Sequence, residues 1–423
     1  MRTNWAGSHI YRAIELITPR SIDELRSIVA GEPRVRALGS RHSFTDLADT
    51  SGVQVSLEAL PADIGFDEAR ADDLRVRVSG GIRYGDLAAA LAPRGLALAN
   101  LASLPHISVA GAIATGTHGS GRRNGSLATS VRALELVDGH GDLVRLDGEQ
   151  LAGAVVGLGA LGIVTAVELA VEPAFEIAQV VHEGLTWSTL LERLDEVLGC
   201  AYSVSVFTRW TGDEVGQVWV KSKVPTGSGA EIGPAEIDPV EIPGAHPASA
   251  QVHMIAGMDV ENTTAQLGVA GPWHERLPHF RMGFLPSAGE ELQTEYFVPI
   301  ERAGEALEAV RAIAGAFGET LLVTELRTVA ADELWLSGAY GTDVLALHFT
   351  WRRDPERVAA LLAPLEEALR PYGARPHWGK VFLAEADVIA PLYPRWDDFL
   401  ELARKMDPEG RFRNDWTMRR LGI

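Results

Sequence analysis

The sequence predicts an α+β protein of two domains, on three observations. The chain has 423 residues, too long for one ordinary core yet enough for two that need neither disulfide nor metal. Strand-like and helix-like segments alternate along it, as in a sheet covered by helices. Its character also changes after Glu172-Pro173, which puts the end of a first domain at residue 173.

The elements follow in order. Ser21-Ile22-Asp23-Glu24 has capping-box spacing ahead of a helically periodic stretch that Gly31 is placed to end. Val35–Leu38 reads as a strand delivering the loop Gly39–Ser43. Leu74–Val78 alternates as a strand, Gly80-Gly81 turns it, and Tyr84–Leu91 reads as a helix. Val131–Val137 and Leu143–Leu146, joined around Asp138-Gly139-His140-Gly141, form a predicted hairpin. Gly157-Leu158-Gly159-Ala160-Leu161-Gly162 fits the dinucleotide fingerprint, but the Rossmann version opens a helix, whereas Ile163–Val167 is β-branched and strand-like. Pro225–Pro247, rich in Pro, Gly and acid, is predicted to be a long surface loop. Beyond it, helices are predicted at Ile300–Ala316 and Pro355–Leu369, and strands at Leu321–Val329 and Val344–Trp351.

Composition excludes several functions. A net charge of −19 argues against binding nucleic acid through its phosphates, and disfavours an acidic substrate outside a locally basic pocket. The single cysteine, Cys200, cannot form an internal disulfide. Met1–Ala6 holds no apolar signal core, and the weakly polar run Ala152–Val167 is shorter than the roughly 20 residues of a membrane helix, so a cytoplasmic protein with no membrane partner is expected. With no coiled-coil pattern, a monomer is expected too. Lysine is scarce, at positions 221, 223, 380 and 405 only. In the apolar, strand-like context of Lys380 it is not casual surface solvation.

The chemistry begins at Arg36-Ala37-Leu38-Gly39-Ser40-Arg41-His42-Ser43-Phe44, which places a histidine at the tip of a Gly/Ser loop. Small residues let backbone N–H groups converge on an anion, and an imidazole beside them points to a cofactor with both phosphate and a reactive ring, a covalently held flavin. Ala102–Gly111 and Ala114–Gly121 form a second region with little Cβ bulk between backbone and ligand.

Four constellations follow. Glu325 and Arg327, two apart in a predicted strand, share a face opposite Leu326; a carboxylate and a guanidinium side by side suit adjacent hydroxyls. His348 and Thr350 share a strand face in the same way. His377-Trp378-Gly379-Lys380 offers a lysine able to stabilise negative charge on a reduced ring, with Trp378 packed nearby. Asp407-Pro408-Glu409-Gly410-Arg411-Phe412-Arg413-Asn414 reads as structural. His274 and His279, with Pro278 between them, fit no zinc motif, and no metal is assigned.

These segments resemble the vanillyl-alcohol-oxidase type of FAD-dependent oxidoreductase and, within it, the alditol oxidases that act on xylitol or sorbitol. The resemblance runs from Asn4-Trp5 to Asp407-Pro408 and implies the two-domain FAD-binding fold of that family: an FAD-binding part over 1–173, a substrate domain of mixed sheet covered by helices over 174–374, and a tail over 375–423 that completes the FAD part. It implies FAD bonded to His42 through the flavin 8α-methyl. Leu38, Gly39, Ser40, Arg41 and Ser43 would line the cofactor in the first loop. Ser103, Ser108, Gly111, Thr115, Gly116, Thr117 and His118 would do so in the second, with Ile163, Val164 and His377 beside the ring. Arg41 stands where related sequences often carry glycine, so a left-handed backbone there would be strained.

For substrate, the resemblance gathers Ser103, Glu325, Arg327, Thr350 and Lys380, with Arg327, His348 and Lys380 as catalytic groups. The implied reaction moves hydride from C1 of a polyol to flavin N5, then two electrons to O2, giving an aldose and H2O2. His348 as acceptor, or Arg327 by stabilising an alkoxide, would assist loss of the hydroxyl proton. The alternatives are an aldonolactone oxidase or dehydrogenase of the same fold, and a flavin-binding protein without turnover.

Overall fold

The structure is a computed structural model that describes residues 2–67, 73–224, 240–283 and 291–423. The predicted loop at Pro225–Pro247 lies outside the described residues as far as position 239.

The first region holds two larger sheets and a two-stranded one that pairs Leu96–Ala97 with Glu172–Pro173. Val53–Val55 pairs in parallel with both Glu15–Ile17 and Val35–Ala37, and the helix Ile22–Gly31 crosses between the outer strands. The Ser21 side chain caps it by accepting from Glu24 N at 3.1 Å, while the Glu24 carboxylate takes the N–H of Arg20 rather than that of Ser21. Leu25 and Val29 pack against Val35, Val53 and Val55, which ties the helix to its sheet. Gly31 is the last helical residue, and Glu32, in extended backbone, is the cap. The second sheet runs Ile64–Asp67, Arg75–Ser79, Ile163–Ala170, Val131–Val137, Leu143–Leu146 and is antiparallel throughout. Its hairpin forms as the sequence predicts, the Asp138 carboxylate accepting from the N–H groups of His140 and Asp142 in the turn. The glycine run Gly157–Gly162 feeds the strand Ile163–Ala170, so the chain turns through it without opening a Rossmann helix.

The second region is a nine-stranded sheet. Its neighbours run in the order His246–Pro247, Glu176–Glu183, Gln217–Lys223, Ser203–Thr208, Leu321–Val329, Val344–Arg352, Glu291–Pro299, Arg375–Pro376, and the ninth strand, Gly271–Pro272, also pairs with Glu176–Glu183. A mixed sheet was expected here, yet every described pairing is antiparallel. Consecutive strands such as Leu321–Val329 and Val344–Arg352 return directly on one another, and only a crossover would make such neighbours parallel. The helices Ala303–Ile313 and Pro355–Leu369 cover one face, burying Leu307, Val310, Leu361 and Leu365 in one core with Leu326, Leu347 and Phe349. Because side chains alternate, Glu325, Arg327, His348 and Thr350 stand on the other face.

The tail starts at the sheet edge and returns to the first region. Phe44 N donates to Gly379 O and Val35 N to Arg411 O, both at 2.8 Å. The buried Arg36 guanidinium donates to carbonyls of Leu47, Leu158, Gly159 and Phe412, pinning the first loop, the glycine run and the tail together. Asp407 accepts from the N–H groups of Arg411 and Phe412 at 2.8 Å, so this C-terminal signature builds a turn.

Candidate active site

A cavity of about 1020 Å³ lies between the two regions. One wall is loop. Leu38, Gly39, Ser40, Arg41, His42 and Ser43 line it, with Ser103, Ser108, Gly111, Thr115, Thr117 and His118 from the stretch 102–118 of the same region, and Ile163, Val164 and His377. Gly116 does not; its φ of +67° turns the chain between two residues that do. Gly39 and Gly111 let the loops converge: a Cβ on either would meet Ser108 Oγ, at 2.7 and 2.8 Å.

This wall fits a flavin nucleotide on its own observations. Ser108 Oγ is buried without a partner, as are both ring nitrogens of His42. The His42 ring stacks on Trp5, centroids 5.2 Å apart. Burial, then the neighbouring His106, pulls His42 down to about 4, so at neutral pH it is the uncharged, nucleophilic imidazole that attachment to a flavin requires. Arg41 does adopt a left-handed backbone, φ 66°, a strain of about 1 kcal/mol. Trp5 N donates to its carbonyl at 2.9 Å and helps to hold it there.

The opposite wall is sheet. Register sets Glu325, His348 and Glu295 directly side by side across three strands. Arg327 donates to Glu295 at 2.9 Å and, from its other terminal nitrogen, to Ser103 Oγ at 3.3 Å, while its Nε lies 3.6 Å from Glu325. Lys380 Nζ pairs with the second Glu295 oxygen at 2.6 Å. His348 has both nitrogens buried and unpartnered, Nδ1 lying 3.6 Å from Glu325. Burial, then Lys380, draws His348 down to about 4, so it is neutral and free to accept a proton. Burial pushes both carboxyls up, but the partners around them win. Lys380, His118 and Arg327 hold Glu295 well below the usual range, and Arg327 and His279 do the same for Glu325. Thr350, also on this wall, is buried.

Two expectations need correction. Trp378 does not reach the cavity: its indole N–H donates to Leu336 O at 2.7 Å and its ring stacks on Tyr393 in the core. Lys380 is not in a strand, because pairing stops at Pro376; it leaves a turn in which its N–H donates to His377 O at 3.1 Å.

The sequence reading missed Glu295, His279 and Lys221. Glu295 had a usable signal, since Glu291, Gln293 and Glu295 alternate with Leu292, Thr294 and Tyr296. Lys221 had the same apolar flank as Lys380, in Val218-Trp219-Val220-Lys221. His279 had none: its partner Glu325, at 2.7 Å, is 46 positions away. His118, Glu295 and His377 bring ligand-type atoms within 4.8 Å of one another. We assign no metal there, because Arg327 and Lys380 already pair with both oxygens of the carboxylate.

A flavoprotein oxidoreductase is the class that this loop wall and polar sheet define. Residues 14–147 match the FAD binding domain family, and residues 289–420 match the D-arabinono-1,4-lactone oxidase family. The chain is 46% identical over 417 residues to the alditol oxidase of Streptomyces sp. (strain IKD472 / FERM P-14339), covering 97% of each. It is 29% identical to the L-gulono-1,4-lactone dehydrogenase of Mycobacterium tuberculosis (strain ATCC 25618 / H37Rv) over 99% of each, and 25% identical to the L-gulonolactone oxidase of Mus musculus over 98% of this chain and 96% of that one. The chain belongs to the alditol oxidase family of vanillyl-alcohol-oxidase-type, FAD-dependent oxidoreductases. No helix among the described residues is long and apolar enough to cross a membrane.

Proposed function

We propose that the protein oxidises the terminal CH2OH of an alditol such as xylitol or sorbitol to the aldose, with O2 reduced to H2O2. The observation that carries this is the sheet wall: Glu325, Arg327, His348 and Thr350 on one face, with Ser103 facing Arg327 from the loop wall. Its charges are paired and its imidazole is neutral, which suits an uncharged ligand of vicinal hydroxyls in a chain of net charge −19. FAD bound along the loop wall and attached through His42 supplies hydride acceptance and electron delivery to O2.

The residues do the rest. Ser103, Glu325 and Thr350 orient the hydroxyls. A neutral His348 nitrogen accepts the proton of the reacting hydroxyl, and the Arg327 guanidinium stabilises the negative charge that develops on that oxygen. Lys380, held by Glu295, keeps positive charge at the border of the two walls. We divide the chain into 1–173 and 375–423 on the cofactor side and 174–374 on the substrate side, and take it to act as a cytoplasmic monomer.

Oxygen uptake by the purified protein with xylitol, sorbitol, glycerol and L-gulono-1,4-lactone tests the reading. Uptake with the polyols, matched by peroxide, is expected. Activity with the lactone alone would replace it with the aldonolactone reaction, and no reduction of bound flavin by any of them would leave a binding protein.

A further inference from the structure

Lys221 is fully buried, 1% exposed, on the strand Gln217–Lys223. Its ammonium faces the carbonyls of Leu277 and Pro278 and the Nδ1 of His279, the last at 3.2 Å. An ammonium has three donors and no acceptor, so these partners account for all of it. That fixes the imidazole: Nδ1 accepts, the proton sits on Nε2, and Nε2 donates to Glu325 Oε1 at 2.7 Å. Phe207 and Trp219 stand edge-on to the ring, at 5.5 and 5.3 Å, and pack against it. Glu325 Oε2 is thereby left for the cavity, near Arg327 and His348.

A hydrocarbon side chain at position 221 would fill this core without desolvating a charge, so packing does not account for the lysine. Burial pulls it down to about 7, with Glu325 opposing and Arg327 assisting.

We propose that Lys221 and His279 are positioning residues for polyol recognition: they hold Glu325 ionised with Oε1 committed to His279, so that Oε2 is the oxygen presented to a substrate hydroxyl. The proposal rests on the function proposed above, and its test separates the two.

The FAD-loaded full-length protein is compared with His279→Phe, His279→Gln and Lys221→Met, each with and without Glu325→Gln. Anaerobic reduction of the flavin by xylitol is followed at about pH 6, where the ammonium predominates. His279→Phe should raise the half-saturating xylitol concentration about tenfold while changing the limiting rate less than about threefold. His279→Gln, whose amide donates to Glu325 and accepts from Lys221, should recover most of that loss. On the Glu325→Gln background, His279→Phe should add less than about twofold. An unchanged half-saturation in His279→Phe, or full additivity with Glu325→Gln, would overturn the proposal. A second readout needs no turnover: ¹⁵N NMR should show His279 protonated at Nε2, with the Nδ1 signal shifting in Lys221→Met as its hydrogen-bond donor is lost. Protonation at Nδ1 in the parent protein would overturn the proposal as well. If xylitol fails to reduce the parent protein, the function reading falls and the tautomer alone decides this one.

Discussion

The loop wall of the cavity, around 38–43 and 102–118, is made of backbone and short side chains, whereas the sheet wall facing it is made of long charged ones. The first depends on what is absent. Gly39 and Gly111 leave room for Ser108, and Arg41 accepts a strained backbone to deliver His42. The second depends on what is balanced. Glu295 and Glu325 are buried, and their desolvation is offset by partners: Arg327 and Lys380 for Glu295, and Arg327 on its own strand with His279 from a loop for Glu325. A cofactor's fixed outline can be met by shape, while a flexible polyol has to be held by directed donors and acceptors.

The sharpest break of this contrast is Arg327→Ala. It removes a sheet-wall charge and leaves the loop wall whole, so flavin reduction by substrate should fall by about 10³-fold with FAD retained. Normal reduction kinetics would remove Arg327 from the mechanism. Next comes Glu295→Gln, which takes the shared counter-charge from Arg327 and Lys380 and should destabilise the fold by about 3 kcal/mol in denaturant titration.

The same variant sharpens the pH dependence. Glu295 and Glu325 are held below their unfolded values, so between the two values the unfolded chain binds more protons. Their stabilisation is therefore complete above about pH 4.5 and lost as pH falls below it. The acid slope of the melting temperature should flatten in Glu295→Gln. On the loop wall, His42→Ala should release FAD on acid precipitation while the fold persists; flavin retained in the pellet would exclude attachment there. The smallest effect is Arg41→Gly, which relieves the left-handed residue and should raise stability by up to about 1 kcal/mol by thermal melting.

The two walls also differ in how much of them the sequence carries. The loop wall is local: Gly39 to Ser43 and Ala102 to His118 are short runs whose composition reveals their purpose. Within a single strand the sheet wall is legible too, since period-2 alternation puts Glu325 with Arg327 and His348 with Thr350. Which strand lies beside which is not written in any one segment. The row Glu325–His348–Glu295 exists only once Glu291–Pro299 pairs with Val344–Arg352, and the His279 hydrogen bond only once a loop folds over the sheet. Trp378 shows the converse. Adjacent in sequence to His377, it faces the core, because a turn sends successive side chains in different directions.

The tail has a consequence for the order in which the molecule is made. Val35, Arg36 and Phe44 are synthesised long before their hydrogen-bond partners Arg411, Phe412 and Gly379. The carbonyl of Phe412 lies 376 positions from the guanidinium it receives. The loop that carries His42 therefore stays only partly fastened until residues 379–412 have emerged from the ribosome. Loading of the cofactor belongs after that point, and a nascent chain stalled before residue 379 has no finished cradle.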